Sequence, residues 1–282
     1  RYNFNYYIDK GFFWSLGFKS SYDFFDKNVS IDFVANDLNA TSGFPVNKID
    51  FQYSDFTNQV YGETLFNRIF LLGIGVEHKF LRYISETIGT DVDNVPRTIF
   101  ENTNYFSAFG YVKYDTYDNI FFPKQGVVFQ ADSHLYLFSQ GSNNNFEPFT
   151  ILKAKAGYAK TFFGKLTGVF TAETGFKIGS SSTTSLDFFL GGYGFKQVNN
   201  ILPFYGYEAL SLRGDTYLKS SITLDYEIIK NHHLSLFTNI ANVDDALFQK
   251  DDWLKAIPYT GVGVGYGLNT FLGPLELKYA YA

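Results

Sequence analysis

The sequence predicts an all-β fold, a single transmembrane antiparallel β-barrel covering residues 1–282, and three observations carry that reading. Apolar and polar residues alternate with a period of two in segment after segment. Aromatic residues make up 20% of the chain, as 33 Phe, 22 Tyr and 2 Trp, yet mean hydropathy is only -0.11. Apolar runs such as Ile69 to Val76 fall far below the ~20 residues a membrane helix needs, whereas a tilted strand crosses in ~9 to 11. A soluble globule gathers its rings in a core. A barrel with a lipid face and two interfacial girdles spreads them along every strand, as this chain does.

Taken in order, the first candidate strands are 2–8 and 12–24, where Phe12, Trp14, Leu16, Phe18, Tyr22 and Phe24 oppose Ser15, Lys19 and Asp23. A turn at Asp26-Lys27-Asn28 leads into 29–36, and 48–61, 67–84 and 104–117 follow. Residues 126–138 set Val127, Phe129, Ala131, Leu135 and Leu137 against Gln130, Asp132 and His134. Segment 149–162 turns at Phe163-Gly164-Lys165 into 165–178, where Leu166, Phe170, Ala172, Phe176 and Ile178 oppose Lys165, Thr167, Thr171, Glu173 and Lys177. After 186–194 comes the clearest strand, 217–229, with Leu218, Ile222, Leu224, Tyr226 and Ile228 on one face and Lys219, Ser221, Thr223, Asp225 and Glu227 on the other. Turns at Lys230-Asn231-His232 and Leu272-Gly273-Pro274 punctuate 232–242, 259–270 and 274–282. About fourteen strands result, consecutive ones antiparallel. The longer connections near 37–47, 85–103, 139–148, 195–215 and 243–258 do not sort onto one end, so orientation stays open.

Charge and chemistry narrow the function. A lipocalin-like barrel would carry its apolar face inside, whereas here the polar faces hold charges on strand after strand. Net charge is -5 with Lys and Arg interspersed among acids, so no basic stripe exists for nucleic acid. The absence of Cys excludes a disulfide framework, thiol catalysis and Cys-type zinc sites. Met is absent even at position 1, which predicts a processed or trimmed piece. No GxSxG nucleophile elbow occurs, and the nearest stretch, Gly179-Ser180-Ser181-Ser182, reads as a loop, so no catalytic residue and no cofactor are expected. Of the four histidines, His78, His134, His232 and His233, the adjacent pair reads as solvated turn residues rather than a metal site. The inward acids and bases Glu173, Lys177, Lys219, Asp225 and Glu227 read as the ordinary lining of a wet lumen.

Three motifs resemble the outer-membrane assembly and secretion superfamily that includes BamA, TamA, the FhaC-type transporters and the barrels of patatin-like (type V-d) proteins. Tyr114-Asp115-Thr116-Tyr117-Asp118-Asn119, leading to Phe122-Pro123-Lys124-Gln125-Gly126, is similar to the family's YDxRDN followed by FPxxG, with Tyr117 in the Arg slot. Phe188-Phe189-Leu190-Gly191-Gly192 resembles the glycine pair before the family's long inward-folded loop. Phe204-Tyr205-Gly206-Tyr207 stands where the family writes VRG[FY] or, in patatin-type barrels, LSGY, and Leu212-Arg213-Gly214-Asp215-Thr216-Tyr217 resembles the patatin-type LxGxxY continuation. In the family the loop arginine is clamped in the lumen by an acid of an FxDxG strand. Here that strand reads Phe237-Thr238-Asn239-Ile240-Ala241, so Tyr205 replaces the arginine and Asn239 the acid. Gly273-Pro274-Leu275-Glu276-Leu277-Lys278-Tyr279 is similar to the family's penultimate GPLxLxY strand.

The resemblance implies sixteen strands, so that this chain lacks a terminal strand at each end and any soluble domain before residue 1. It implies an integral protein of a Gram-negative outer membrane, acting in insertion or translocation of protein or lipid. Its partners would be outer-membrane lipids, lipopolysaccharide and substrate proteins, or a second copy in a homodimer. Two alternatives stay open, the membrane anchor of a patatin-like phospholipase and a passive porin. The segment 195–215 holds Phe195, Ile201, Leu202, Phe204, Tyr205 and Tyr207, too many apolar groups for a free connection, and is expected to fold inward as a plug. Its tyrosine hydroxyls and Arg213 would pair with Glu173, Asp225 or Glu227.

Overall fold

The computed structural model describes residues 2–8, 14–31, 47–88, 97–141, 146–179, 185–193, 200–251, 253 and 257–282. Twelve strands form one antiparallel sheet in sequence order: β1 (Tyr2–Ile8), β2 (Ser15–Ile31), β3 (Asn47–Phe66), β4 (Phe70–Ile88), β5 (Arg97–Asp115), β6 (Gln125–Gly141), β7 (Phe149–Phe162), β8 (Leu166–Ile178), β12 (Thr216–Ile229), β13 (His232–Asp244), β14 (Tyr259–Thr270) and β15 (Gly273–Tyr281). Between β8 and β12 the chain makes a second, three-stranded sheet from β9 (Phe188–Leu190), β10 (Ile201–Leu202) and β11 (Leu212–Gly214), with β9 in the middle. Among the described residues no helix is long and apolar enough to cross a membrane.

The faces are inverted relative to a soluble protein. Leu224 lies opposite Leu236, which lies opposite Val264, and all three are exposed. On the other face Asp55, Glu77, Lys79, Lys219 and Asn239 are buried. Aliphatic rows outside and charges inside are the pattern of a barrel whose solvent is lipid.

Side-chain contacts show how far the sheet curls. Strands β6 and β13 are four intervals apart in the sheet, ~19 Å along it at the usual strand spacing. Yet Phe122, on the connection into β6, stacks on His233 of β13 with ring centroids 4.0 Å apart. Lys124 reaches Glu227 of β12 at 2.6 Å, and a Cβ on Gly267 of β14 would meet the Phe122 ring at 2.8 Å. Such chords cross the concave side.

Strand parity then sorts the connections. The turns at 67–69, 163–165, 230–231 and 271–272 and the compact 116–124 connection all lie at one end. The breaks between β2 and β3, β4 and β5, β6 and β7, β8 and β12, and β13 and β14 all lie at the other, and all are longer than the four tight turns. The expected disorder of loop lengths is therefore corrected, and its cause is local. Asp26, Lys27 and Asn28 are interior to β2 and pair with β3, so no turn divides 12–24 from 29–36. Segment 186–194 contributes β9 of the small sheet rather than a strand of the large one. Residues 9–13 and 32–46, with Phe12 and the distal part of the 29–36 candidate, lie outside the described residues, as do Ser180 to Ser182 and Phe195.

Candidate functional site: the inner sheet and the lumen face

The small sheet packs on the buried face of the large one. Phe188 meets Tyr217 of β12 edge-on at 4.8 Å, and Leu186, Phe188, Leu190 and Phe204 have no exposed surface. The segment closes on itself through backbone bonds: Gly191 N–H donates to the Leu202 carbonyl (3.0 Å), Gly192 N–H to Tyr207 (2.8 Å) and Phe204 N–H back to Gly192 (3.2 Å). Arg213 and Gly214 lie in register with Phe189 and Phe188 across the β9–β11 pair.

Two polar clusters tie this sheet to the wall. At the first, Asp187 is buried and receives both Lys177 of β8 and Arg213 of β11. Arg213 donates from Nε (2.9 Å) and Nη2 (2.5 Å) to one carboxylate oxygen, while Lys177 takes the other. Those bonds to Asp187 raise the Arg213 pKa further above its ordinary range. Ser185 donates to Glu101 of β5 at 2.8 Å, and Asn200 donates to the Leu186 carbonyl at 2.5 Å. A buried carboxylate with two cations avoids the cost of an unpaired charge.

At the second cluster, Asn239 of β13 donates to the Tyr205 carbonyl at 3.2 Å, and the Tyr205 ring lies 4.7 Å from that of Phe237. Lys278 of β15 reaches the Tyr205 hydroxyl at 3.4 Å and also pairs with Glu276 at 3.1 Å. Gly206, at φ +93°, is pressed so closely on Tyr281 and Ala282 that a Cβ would sit 2.9 Å from their backbone. Tyr207 meets Tyr259 edge-on at 5.8 Å. Thus Tyr205 and Asn239, the positions that depart from the resemblance, do touch, through a neutral hydrogen bond in place of an ion pair, with the Tyr205 ring packed on Phe237 beside it.

The expected partners of Arg213 are corrected. Glu173 is held by Lys155 (3.1 Å) and Lys219 (3.2 Å), Asp225 by His233 (2.7 Å) and Glu227 by Lys124 (2.6 Å). Arg213 instead takes Asp187, with Asp245 at 3.9 Å. Distance along the strands explains it: Asp225 and Glu227 lie towards the short-turn end of β12, whereas β11 joins β12 at the opposite end. The histidine pair is corrected too, since His233 is buried under Phe122 while His232 bonds the Tyr266 hydroxyl at 2.6 Å.

The turn motif is a knot of side chain to backbone bonds. Asp118 accepts from the amides of Lys124 (2.8 Å) and Gln125 (3.2 Å), and Asp115 from Tyr117 (3.1 Å). Asn119 accepts from Phe121 (2.8 Å) and Phe122 (3.1 Å), which aims the Phe122 ring inward past Pro123, ahead of Gly126 in β6.

Sequence reasoning missed Asp187 and a network on β3 and β4. Lys79 pairs with Asp55 at 2.8 Å, Tyr53 and Thr57 also donate to Asp55, and Gln59 donates to Glu77 at 2.6 Å, with His134 3.3 Å from Glu77. All of these groups but Tyr53 line a polar cavity of about 220 Å³ that Asn200 of the inner segment also borders. The signal was the run Asp55, Thr57, Gln59 facing Glu77 and Lys79, polar on alternate positions of paired strands. Among the described residues no three His, Asp or Glu side chains are gathered as metal ligands.

A sheet of this topology, with an inner sheet between β8 and β12, invites comparison with known barrels. The sequence profile described as the OMP85 superfamily matches residues 1–282. The chain belongs to the OMP85 superfamily. Among solved structures, this OMP85 barrel is similar to BamA from Haemophilus ducreyi lacking POTRA domains 1-3, with a TM-score of 0.57 and 13% identity over 99% of this chain and 63% of that one. It is also similar to CdiB from Acinetobacter baumannii, with a TM-score of 0.52 and 12% identity over 95% of this chain and 43% of that one. The OMP85 chain thus spans less than two thirds of either structure's length. No curated protein matches its sequence.

Proposed function

We propose that this OMP85 barrel inserts or translocates protein or lipid at a Gram-negative outer membrane, and that residues 185–193 and 200–215 occlude its lumen and tie distant strands together. The observation that carries the reading is the pair of polar clusters: one segment grips β8 through Asp187 and reaches β13 and β15 through Tyr205. Ties of this kind across the lumen face suit a barrel that opens on demand better than a passive pore. Transport would require these ties to loosen, and a neutral Tyr205–Asn239 contact is weaker to break than a buried ion pair.

The test is single-channel conductance in planar bilayers after deletion of residues 199–210. The expected result is a larger conductance and a lower thermal stability than the parent barrel. Unchanged conductance in a correctly folded barrel would reject occlusion and favour the porin reading. A second reading, the barrel anchor of a patatin-like hydrolase, draws support from Leu212 to Tyr217 alone.

A further inference from the structure

We propose that the short-turn end of the barrel is a lipid-seating surface, a ring of apolar turn tips with cations beside them that settles into an anionic phospholipid leaflet. Hairpin turns are ordinarily polar, because Gly, Asn, Asp and Ser meet their backbone needs and solvent surrounds them. Among the described residues three of the four tight turns at this end carry a large apolar residue at the tip, and at the fourth, Lys230-Asn231, the last strand residue Ile229 is one. Ile69, Phe163, Ile229, Phe271 and Leu272 are all exposed, and Ile120 of the 116–124 connection joins them. Phe163 and Phe271 are 97% and 96% exposed, so neither packs on the barrel.

Phe163 is the most telling. It has φ +50° and precedes Gly164 at φ +77°, in a three-residue hairpin turn between β7 and β8. That geometry favours Asn, Asp or Gly, and a bulky side chain there is strained. The phenyl ring therefore serves neither the turn nor the fold, and its value lies in what it touches outside the chain.

Two features select lipid as the occupant. The tips continue the lipid-facing band, since Phe162 before Phe163 and Ile228 before Ile229 are also exposed apolar residues at the strand ends. Beside them stand cations: Arg68 next to Ile69, Lys165 after Phe163 and Lys230 after Ile229. Of the nearby acids, Glu227 is paired with Lys124 and Asp118 is occupied by backbone amides. Long basic side chains over apolar neighbours are suited to the boundary between acyl chains and anionic headgroups. A soluble domain docking on the same ring is the competing occupant.

The chain has no Cys, so single cysteines report position cleanly. Phe163→Cys and Phe271→Cys would carry a bimane label, with exposed Glu147→Cys at the opposite end as a water-facing control, in vesicles of phosphatidylcholine and phosphatidylglycerol. Lipids brominated near the glycerol end of the chain are expected to quench both turn labels at least about twofold, and aqueous iodide to quench only the control. Strong iodide quenching of the turn labels without bromolipid quenching would overturn the proposal and leave the ring free for a soluble partner. Separately, folding into vesicles should speed up with phosphatidylglycerol, and Arg68→Gln with Lys230→Gln should remove that gain. An identical rate with and without phosphatidylglycerol would overturn the headgroup assignment.

Discussion

The Phe122 and His233 rings stack 4.0 Å apart, within 9° of parallel, although one belongs to the β5–β6 connection and the other to β13. The seat for Phe122 is completed by Gly267, which has no side chain to contest the space. His233 is fixed in turn by Asp225 at 2.7 Å. Phe122→Ala should lower stability by about 1 to 3 kcal/mol, less than a fully buried Phe because Phe122 keeps some exposure. Gly267→Ala should cost about the same by displacing the ring. Urea titration of the barrel in liposomes checks both, and equal midpoints for the variants and parent would reject this contact as a structural tie.

Leu224 and Phe170 face outward from neighbouring strands, each half exposed beside inward Thr223 and Thr171. Leu224→Arg or Phe170→Arg should cost about 2 to 4 kcal/mol if near the bilayer midplane, whereas Thr223→Arg should be tolerated. Heat-modifiable gel migration after folding into liposomes distinguishes the three. Unaltered stability of the two lipid-face variants would reverse the facing.

Asp187 serves two cations, so its removal takes the buried carboxylate away from both. Asp187→Ala should destabilise by about 3 to 5 kcal/mol, and Lys177→Ala by less, because Arg213 still neutralises the carboxylate. A double-mutant cycle of Asp187 with Arg213 should give a coupling of about 0.5 to 3 kcal/mol. Additive losses would mean that the ion pair is incidental.

The purified chain should not hydrolyse a fluorogenic phospholipid, since its residues contain no GxSxG elbow. Turnover abolished by a serine-directed inhibitor would show chemistry that these residues do not announce.

The strand wall was legible because its physics is local: an alternating face such as Leu218 to Ile228 needs only its own neighbours to declare itself. Parity was not. One false turn at Asp26-Lys27-Asn28 flips the end assigned to the connections that follow, until the extra strand 186–194 flips it back, and composition there is turn-like even though β3 pairs across it. The partner of Arg213 was illegible for another reason. Asp187 follows Leu186 in a stretch with no periodicity, and only the folding back of β9 onto β11 brings it to the guanidinium. For Tyr205 and Asn239 the resemblance supplied the pairing, while the loss of charge at both positions left its chemistry to be seen only in the fold. His233 read as a turn residue because the ring that buries it, Phe122, lies 111 positions earlier in the chain.

The position of the small sheet also bears on the order in which the barrel is made. Its chain leaves the wall after β8 and re-enters at β12, yet those two strands are hydrogen-bonded neighbours along eleven residue pairs. Zipping β8 to β12 therefore closes a loop of nearly forty residues, whose entropic cost grows only slowly with length. The harder condition is spatial: a sheet that curls shut with those residues outside would trap them there. Docking of Asp187 and Phe188 alongside the curling avoids that trap, so the order of the two events bears on how much misassembled barrel forms.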